Sequence, residues 1–246
     1  MIPCRLLIHE PSDGPWNMAV DEVLLQDAGV TGGAAIRLYG WSQPTVSLGY
    51  FQPLRDRDQH PASADCAVVR RRTGGGAIVH DQELTYSVVI NPKVLGLGHS
   101  EQIYRAVHDC WIEVLSDACR VPLTYAGLQD QRHDPPFLCF LRRSPWDICL
   151  GEWKIVGSAQ RRLGKFVLQH GSILLKRSPA CPEIPGISDL TGGDIDGRSV
   201  GREWSDRLAR IFQLRPIEAT LADGEPERIN YIRTAQFGSA SWTGKR

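Results

Sequence analysis

Three consecutive glycines, Gly74 to Gly76, lie between two apolar runs that are typical of β-strands, and this arrangement constrains the fold more than any other segment. Ala67-Val68-Val69 precedes the glycines and Ala77-Ile78-Val79 follows them. Consecutive glycines can adopt positive φ, and they let a ligand approach main-chain N–H groups because no Cβ stands in the way. We therefore expect the glycines to connect two paired strands, either as a plain hairpin turn or as a cradle for a carboxyl, acyl or phosphate group.

Composition excludes several classes of function. The 246 residues include 28 Lys and Arg against 28 Asp and Glu, so no net charge attracts nucleic acid or an anionic membrane. Basic residues cluster only locally, at Arg70 to Arg72, Arg142-Arg143 and Arg161-Arg162, and an acidic partner would be recognised there. The N-terminus has no signal-peptide region and no apolar run is long enough to span a bilayer, which predicts a cytoplasmic protein.

The cysteines predict no structural metal. Seven of them are spread over positions 4, 66, 110, 119, 139, 149 and 181, with no CxxC pair and no Cys/His spacing that is typical of zinc. In a reducing compartment most should be small buried hydrophobes, and at most one or two should be reactive.

Hydrophobic periodicity predicts two long helices. The segment 100–119 has the strongest helical period and must cover one face of a sheet. A second amphipathic helix is expected over 15–28, with Gly29 able to stop it. Its polar residues Asn17, Asp21 and Glu22 are expected to face away from the apolar side.

The rest of the chain predicts a sheet, and no shift in composition marks a linker, so we expect a single α+β domain over 1–246. The other expected elements are strands at 35–39, 45–50, 84–90, 147–150, 153–156, 166–168 and 172–175, a polar loop at 129–136, and two short helices after a proline-rich loop at 179–197.

A second candidate segment is KIVGSAQRR at Lys154 to Arg162, followed by LQHGS at Leu168 to Ser172. A lysine before a strand and a Gly-Ser-Ala turn could direct a cation and backbone donors at one ligand. An ordinary surface lysine is the alternative, since the sequence does not show that this segment touches the glycines.

These segments together resemble a known superfamily. The motifs are WSQPTVSLGYFQ at 41–52, RRRTGGGAIVHDQELTYSV at 70–88, KIVGSAQRR at 154–162 and LQHGSILL at 168–175. In this order they are similar to the catalytic domain of lipoate-protein ligases and octanoyltransferases, and the likeness extends from Trp16 to the end of the chain. The resemblance implies a biotin/lipoate-ligase-like α+β domain with a mixed sheet, a smaller sheet and packed helices. The GRGRxGR segment of biotin ligases is missing, which disfavours biotin.

The resemblance implies a site that passes an octanoyl or lipoyl group to a lysine of a lipoyl carrier domain. Burying the methylenes of a C8 chain, at roughly 0.8 kcal/mol each, supplies about 5 kcal/mol and calls for an apolar tunnel. Val46, Leu48, Ile78 and Val79 are the expected tunnel residues. His80 could orient the loop or handle a proton, or be a structural histidine. The expected ligand-binding residues are Arg71, Gly74, Gly75, Gly76, His80, Ser158, Ala159 and His170, with Lys154 and backbone donors holding the carbonyl oxygen.

Two chemistries fit the resemblance, a transferase and a ligase. Cys139, in FLCF fifteen positions before Lys154, resembles the nucleophile of octanoyltransferases, and a nearby lysine favours a thiolate. Cys149 is the competing thiol, but the alternating segment 147–150 suggests that it packs in the sheet. A ligase would instead use ATP and Mg²⁺ to form lipoyl-AMP; the transferase needs no cofactor and no metal.

Three further features bear on this choice. HDQELTYS resembles the transferase branch, whereas an unbroken glycine triplet that includes Gly76 is more typical of ligases. Related ligases carry a C-terminal accessory domain for which we expect no room before Arg246, although a separate accessory chain would restore the ligase. A non-catalytic protein that binds an acyl group or a carrier is the third alternative.

The resemblance also implies the partners. The donor is an acyl carrier protein or an already acylated carrier, and the acceptor is a lipoyl domain or a glycine-cleavage H-type protein. Such carrier domains are often acidic, so Arg142-Arg143 and Arg161-Arg162 are expected to dock them. We expect a monomer with no nucleic-acid or membrane partner.

Overall fold

Continuous runs of buried residues form the central strands of a mixed eight-stranded sheet, as expected for a sheet that is covered on both faces. The computed structural model describes residues 1–96, 100–127 and 135–246. Within these ranges the order of the large sheet is β11-β1-β2-β6-β10-β9-β8-β7, and a small sheet has the order β4-β3-β5. The strands are β1 (Ile2–Ile8), β2 (Ala34–Tyr39), β3 (Thr45–Leu48), β4 (Ala67–Arg70), β5 (Ile78–His80), β6 (Glu83–Ile90), β7 (Thr124–Tyr125), β8 (Ile148–Leu150), β9 (Trp153–Leu163), β10 (Phe166–Leu174) and β11 (Leu214–Glu218).

Helices cover both faces of the large sheet. The α-helices are α1 (Gly14–Thr31), α2 (Ser100–Cys119), α3 (Ile187–Thr191), α4 (Gly197–Ile211), α5 (Glu225–Ile232) and α6 (Ala240–Thr243), with a π-helical turn at Arg233–Phe237 and 3₁₀ turns at Leu54–Gln59, Pro61–Ser63, Pro92–Leu95 and Cys139–Leu141.

Helices α2 and α4 share one face of the sheet. Trp111 of α2 stacks on Trp204 of α4, with ring centroids 4.6 Å apart, and both pack on Tyr86 of β6. The predicted role of the strongly periodic segment 100–119 is therefore confirmed. Helix α1 packs with α5 on the opposite face, where Val20, Val23 and Leu24 belong to a separate hydrophobic cluster. The α+β class is confirmed, and among the described residues no helix is long and apolar enough to cross a membrane.

The glycine segment does not connect two paired strands, so that prediction was wrong. Strands β4 and β5 lie on opposite sides of β3, which pairs in parallel with β4 and antiparallel with β5. The intervening loop therefore passes around the end of β3. A Cβ on Gly49, which follows β3, would stand 2.0 Å from the carbonyl oxygen of Gly75, so this crossing requires glycine at position 49.

Other predicted elements differ in extent. The motif at 154–162 lies wholly inside β9, without a Gly-Ser-Ala turn, and 166–174 is one strand. Helix α1 continues past Gly29 to Thr31 and ends at Gly32, whose φ of 74° is the left-handed cap. Strands β1, β7 and β11 were not predicted, and the loop expected at 179–197 contains helix α3. Most of the loop expected at 129–136 lies outside the described residues.

Candidate active site

A cavity of about 290 Å³ lies between the two sheets. It brings together the glycine loop, the segment that contains Cys139, and the middle of β9 and β10. The lining residues are Met18, Tyr39, Trp41, Ser47, Arg71, Gly74, Gly75, Ile78, His80, Thr85, Cys139, Phe140, Gly157, Ser158, Ala159, Gln160, His170, Gly171 and Ser172. Motifs that lie far apart in the sequence, from Trp41 to Ser172, therefore form one site.

Arg71 fixes the shape of the glycine loop. Its buried guanidinium donates to the carbonyl oxygens of Gly74 (2.8 Å) and Gly76 (2.6 Å) and to that of Ser47 (2.7 Å). With these carbonyls turned toward Arg71, none of the amide N–H groups of residues 74–76 donates to another atom of the described part of the chain. Burial lowers the pKa of Arg71 to about 10, so the side chain remains a cation behind the loop at neutral pH.

The glycine loop is bonded directly to the cysteine segment. The N–H of Ala77 donates to the carbonyl of Phe137 (3.0 Å), and the N–H of Cys139 donates to the carbonyl of Ala77 (2.7 Å). A Cβ on Gly76 would lie 3.0 Å from Cα of Cys139 and from the guanidinium of Arg142. Gly76, the third glycine, is a feature that the motif resemblance associated with ligases. Its lack of a side chain allows the cysteine segment to pack against the glycine loop.

Cys139 and Lys154 form a close pair. Nζ of Lys154 lies 3.7 Å from Sγ of Cys139 and 3.4 Å from its carbonyl oxygen, and it forms a 2.8 Å ion pair with Asp147. Burial alone would lower the pKa of Lys154, but negative charge at Cys139 and Asp147 outweighs it and raises that pKa above its ordinary value. The lysine is therefore a permanent cation beside the thiol. A Cβ on Gly157 would meet Cε of Lys154 at 2.6 Å, which explains the spacing of lysine and glycine in the motif.

Cys139 is the cysteine with a chemical partner and access to the cavity. Cys149 is buried in β8, and burial raises its pKa. Burial likewise raises the pKa of the thiols at positions 4, 66, 110, 119 and 181. The geometry therefore favours Cys139 over Cys149 as nucleophile.

Ser158 is hydrogen-bonded to side chains of α2 and β6. Its N–H donates to the hydroxyl of Tyr104 (3.3 Å), so it is not available as the backbone donor that we had expected. Its hydroxyl accepts from Tyr86 (2.5 Å) and donates to Nε2 of His108, whose Nδ1–H donates to the carbonyl of Trp146 (2.7 Å). Burial lowers the pKa of His108 to about 3, which keeps the ring neutral. Of the expected donors, Gly74 and Gly75 line the cavity, whereas Lys154 and Gly76 are not among its lining residues; Ala159 lies in the cavity wall.

A buried acid that sequence reasoning missed positions His170. Asp21 accepts from Arg37 (2.9 Å), Tyr39 (3.1 Å) and Ser87 (2.9 Å), and lies 3.4 Å from Nδ1 of His170. Burial alone would raise the pKa of Asp21, but His170 and Arg37 outweigh it and hold that pKa below its usual value.

This arrangement corrects the expectation for the polar residues of α1. Asn17, Asp21 and Glu22 are buried rather than facing solvent. On the other side of His170, Nε2 lies 2.8 Å from the hydroxyl of Thr73, beside the glycines. The sequence signal for this network was three polar positions within an otherwise apolar helix.

His80 is held rigidly in the cavity wall. Its Nε2 lies 2.7 Å from Oγ of Ser47, its Nδ1 lies 2.7 Å from Oε1 of Glu83, and its ring stacks on Trp41 at 3.8 Å. Burial lowers the pKa of His80 despite the opposing charge of Glu83. Every polar atom of the ring thus has a partner, which fits an orienting role.

The residues predicted to line an apolar tunnel are divided by strand alternation. Ile78 lines the cavity, but Val46, Leu48 and Val79 pack in the hydrophobic cluster of the small sheet instead. Ser47 projects into the cavity, so its neighbours in β3 must point the other way. Apolar contact in the cavity comes from Met18, Tyr39, Trp41, Ile78 and Phe140.

Arginines of the clusters at 142–143 and 161–162, which were expected to dock a carrier, have partners within the protein. Arg142 donates to the carbonyl of Pro136 (2.5 Å), and Arg161 pairs with the buried Glu22. Arg143 and Arg162 are the exposed members of the two pairs.

Comparison with known proteins agrees with this geometry. The family model of the lipoyl protein ligase A/B catalytic domain matches residues 13–179. The octanoyltransferase LipM of Symbiobacterium thermophilum is 38% identical over 98% of both chains, and LipM of Moorella thermoacetica is 30% identical over 98% of both.

Solved structures share the fold. A lipoate-protein ligase A bound with ATP superimposes with a TM-score of 0.78 at 21% identity, over 99% of both chains. The bipartite lipoate protein ligase of Thermoplasma acidophilum, studied with its E2 lipoyl domain, gives a TM-score of 0.76 at 18% identity over 99% of this chain and 97% of that one. At such identities the likeness concerns architecture.

Proposed function

The chain belongs to the lipoyl protein ligase A/B catalytic-domain family, and on that premise we propose that it is an octanoyltransferase of protein lipoylation that carries the acyl group on Cys139. The observation that supports this most directly is the 3.7 Å approach of the Lys154 ammonium to Sγ of Cys139 at the wall of the cavity. A thiol paired with a permanent cation is the usual arrangement for a nucleophilic cysteine. The likeness to full-length octanoyltransferases supports the same activity.

The first half-reaction forms a thioester on the enzyme. The Cys139 thiolate attacks the carbonyl carbon of an octanoyl thioester, and the bond from that carbon to the carrier sulfur breaks. The carrier leaves as a thiolate and takes a proton from solvent. Negative charge that develops on the carbonyl oxygen is stabilised by Lys154 and the amides of residues 74–76.

The second half-reaction forms the amide. The neutral ε-amine of the acceptor lysine attacks the thioester carbon, the bond to Sγ breaks, and the amine proton passes to solvent. Cys139 returns to a thiolate beside Lys154, which keeps its 2.8 Å ion pair with Asp147 while the cysteine is acylated and uncharged. The cavity holds the octanoyl chain, and a lipoyl chain by the same contacts.

We also propose the partners of this reaction. The donor is an octanoyl acyl carrier protein or an already acylated carrier, and the acceptor is a lipoyl domain or a glycine-cleavage H-type protein. A thioester is already activated, so no ATP, Mg²⁺ or other cofactor enters. A cytoplasmic location is part of the proposal, because the seven cysteines are all free and a reducing compartment keeps such thiols reduced.

Intact mass measurement after incubation with octanoyl carrier protein, without ATP, tests the proposal. An octanoyl adduct should form on the wild type and on the matched control Cys149→Ala, and not on Cys139→Ala. An adduct on Cys139→Ala would refute the assigned nucleophile. No adduct on any form, with free octanoate or lipoate attached only when ATP and Mg²⁺ are supplied, would establish the ligase instead.

A further inference from the structure

Apart from the acyl site, three side chains with metal-binding atoms meet beside the hydrophobic cluster of the small sheet. Nε2 or Nδ1 of His60, Sγ of Cys181 and a carboxylate oxygen of Glu183 all lie within 4.8 Å of one another. We propose that these three side chains form a binding site for one Zn²⁺ ion. Sequence spacing did not reveal it, because His60 lies more than a hundred residues before the other two.

The donor atoms match the chemistry of zinc. Zn²⁺ is bound in proteins by histidine nitrogen, cysteine thiolate and carboxylate oxygen, commonly in fourfold coordination. Ca²⁺ and Mg²⁺ prefer sites made of oxygen alone. A set with one nitrogen, one sulfur and one oxygen therefore selects a transition metal such as zinc over these hard cations.

A small movement of Glu183 converts the present contact into a coordination geometry. Nε2 of His60 now lies 2.7 Å from Oε1 of Glu183, as in a hydrogen bond. Ligand atoms around a tetrahedral zinc are about 3.4 Å apart when the bonds are about 2.1 Å long, so the two atoms must separate by about 0.7 Å. The Glu183 side chain is 39% exposed and is free to move by this amount.

Ser63 is placed to orient the histidine ligand. Its hydroxyl lies 2.8 Å from Nδ1 of His60 and 3.3 Å from the carbonyl oxygen of the same residue. When zinc takes the Nε2 lone pair, the ring proton resides on Nδ1 and is donated to Ser63, whose hydroxyl donates in turn to that carbonyl. Histidine ligands in zinc sites characteristically have such a partner on the other nitrogen. Binding releases the thiol proton of Cys181 to solvent.

The ion would join two loops that are distant in the sequence. His60 lies between the 3₁₀ turns Leu54–Gln59 and Pro61–Ser63, whereas Cys181 and Glu183 follow β10. Cys181 and the half-buried Cys66 pack in the same hydrophobic cluster, but Cys66 is not one of the three side chains whose ligand atoms meet. The site does not include Cys139 or Lys154. Its role is to stabilise the packing of these two loops rather than to take part in acyl transfer.

Titration of the metal-free full-length protein with Co²⁺, followed by displacement with Zn²⁺, tests the site. Co²⁺ is a spectroscopic substitute whose absorption reports thiolate ligation. We expect one equivalent with a thiolate band in the wild type and in the matched control Cys110→Ser, which alters a buried thiol of α2. The band should be absent in Cys181→Ser, and zinc affinity should fall at least tenfold in His60→Gln.

Two further measurements keep the outcome unambiguous. Zn²⁺ should raise the Tm of the wild type and of Cys139→Ala but not that of Cys181→Ser, whose unfolding transition without metal shows that it folds. Binding of equal affinity and spectrum in Cys181→Ser would overturn the proposal, as would loss of the band in Cys139→Ala, since the ion would then lie at the catalytic thiol. Absence of any bound equivalent in the wild type would also refute it. None of these results depends on octanoyl transfer.

Discussion

Replacement of Lys154 by methionine removes the charge on which the proposed transfer depends. Nζ lies 3.7 Å from Sγ of Cys139, and two unit charges at that distance attract by about 4.5 kcal/mol at an effective dielectric constant of about 20. Since about 1.4 kcal/mol corresponds to a factor of ten in rate, loss of the full attraction predicts roughly thousandfold slower attack on the octanoyl thioester.

The ion pair with Asp147 complicates the single variant. Both side chains are nearly buried, so Lys154→Met leaves a carboxylate without its cation, at a cost of about 3–5 kcal/mol in the free energy of unfolding. The double variant Lys154→Met/Asp147→Asn removes both charges and should unfold closer to the wild type. Asp147→Asn alone is the matched control, because it retains the ammonium beside the cysteine.

Adduct formation followed by rapid quenching and intact mass measurement gives the rate of the first half-reaction. We expect the double variant to be slowed roughly a thousandfold and Asp147→Asn to remain far closer to the wild type. Alkylation by iodoacetamide at neutral pH should slow in the same order. If the double variant formed the adduct within about threefold of the wild-type rate, less than 1 kcal/mol would depend on this charge, and the role given to Lys154 would be wrong.

Three other predictions follow from the geometry. Gly76→Ala places a Cβ 3.0 Å from the cysteine segment, so it should lower the unfolding free energy by about 1–3 kcal/mol and slow adduct formation. The control Gly29→Ala, where a Cβ meets nothing within 4 Å, should have neither effect. If both variants behaved alike, the packing argument would be contradicted. Burial lowers the pKa of His108 to about 3, below its unfolded value of about 6.5, so stability is lost as pH falls between these values. The free energy of unfolding, measured in urea from pH 7 to 4, should therefore change with pH less steeply in His108→Gln than in the wild type, by about 1.4 kcal/mol per pH unit. An equal pH dependence in both proteins would mean that the His108 ring is charged in the folded state. Arg143→Glu/Arg162→Glu should slow transfer to an acidic carrier about tenfold at low salt and less at high salt; an unchanged rate and salt dependence would exclude these arginines from docking.

Local patterns were sufficient to predict the two long helices, and the resemblance of the motifs predicted part of the cavity lining, namely Arg71, Gly74, Gly75, Ile78, His80, Cys139, Ser158, Ala159 and His170. The helix at 100–119 has an unbroken 3.6-residue period, which reports burial on one side without any knowledge of its partner. The glycines and Lys154 were recognisable because their residue types are needed for close backbone approach and for charge. Cys139 was found through its position relative to Lys154.

What could not be predicted depends on contacts between distant segments. Whether Val46 or Ser47 faces the cavity is decided by the register of β3, and a shift of one residue exchanges the two faces. Asp21 is buried because Arg37 lies in the adjacent strand, a pairing that no local pattern expresses. The segment Leu214–Glu218 includes Pro216 and lacks clean alternation, as is tolerated in an edge strand.

That edge strand has a consequence for the order of folding. In the large sheet β1 pairs in parallel with β11, with Ile2 opposite Leu214, so the outer neighbour of the first strand is synthesised more than two hundred residues later. Pairing at such a sequence separation carries a large loop-closure entropy and is intrinsically slow. During synthesis the outer edge of β1 stays unpaired until the chain beyond α4 has emerged, and an open strand edge of this kind is exposed to mispairing.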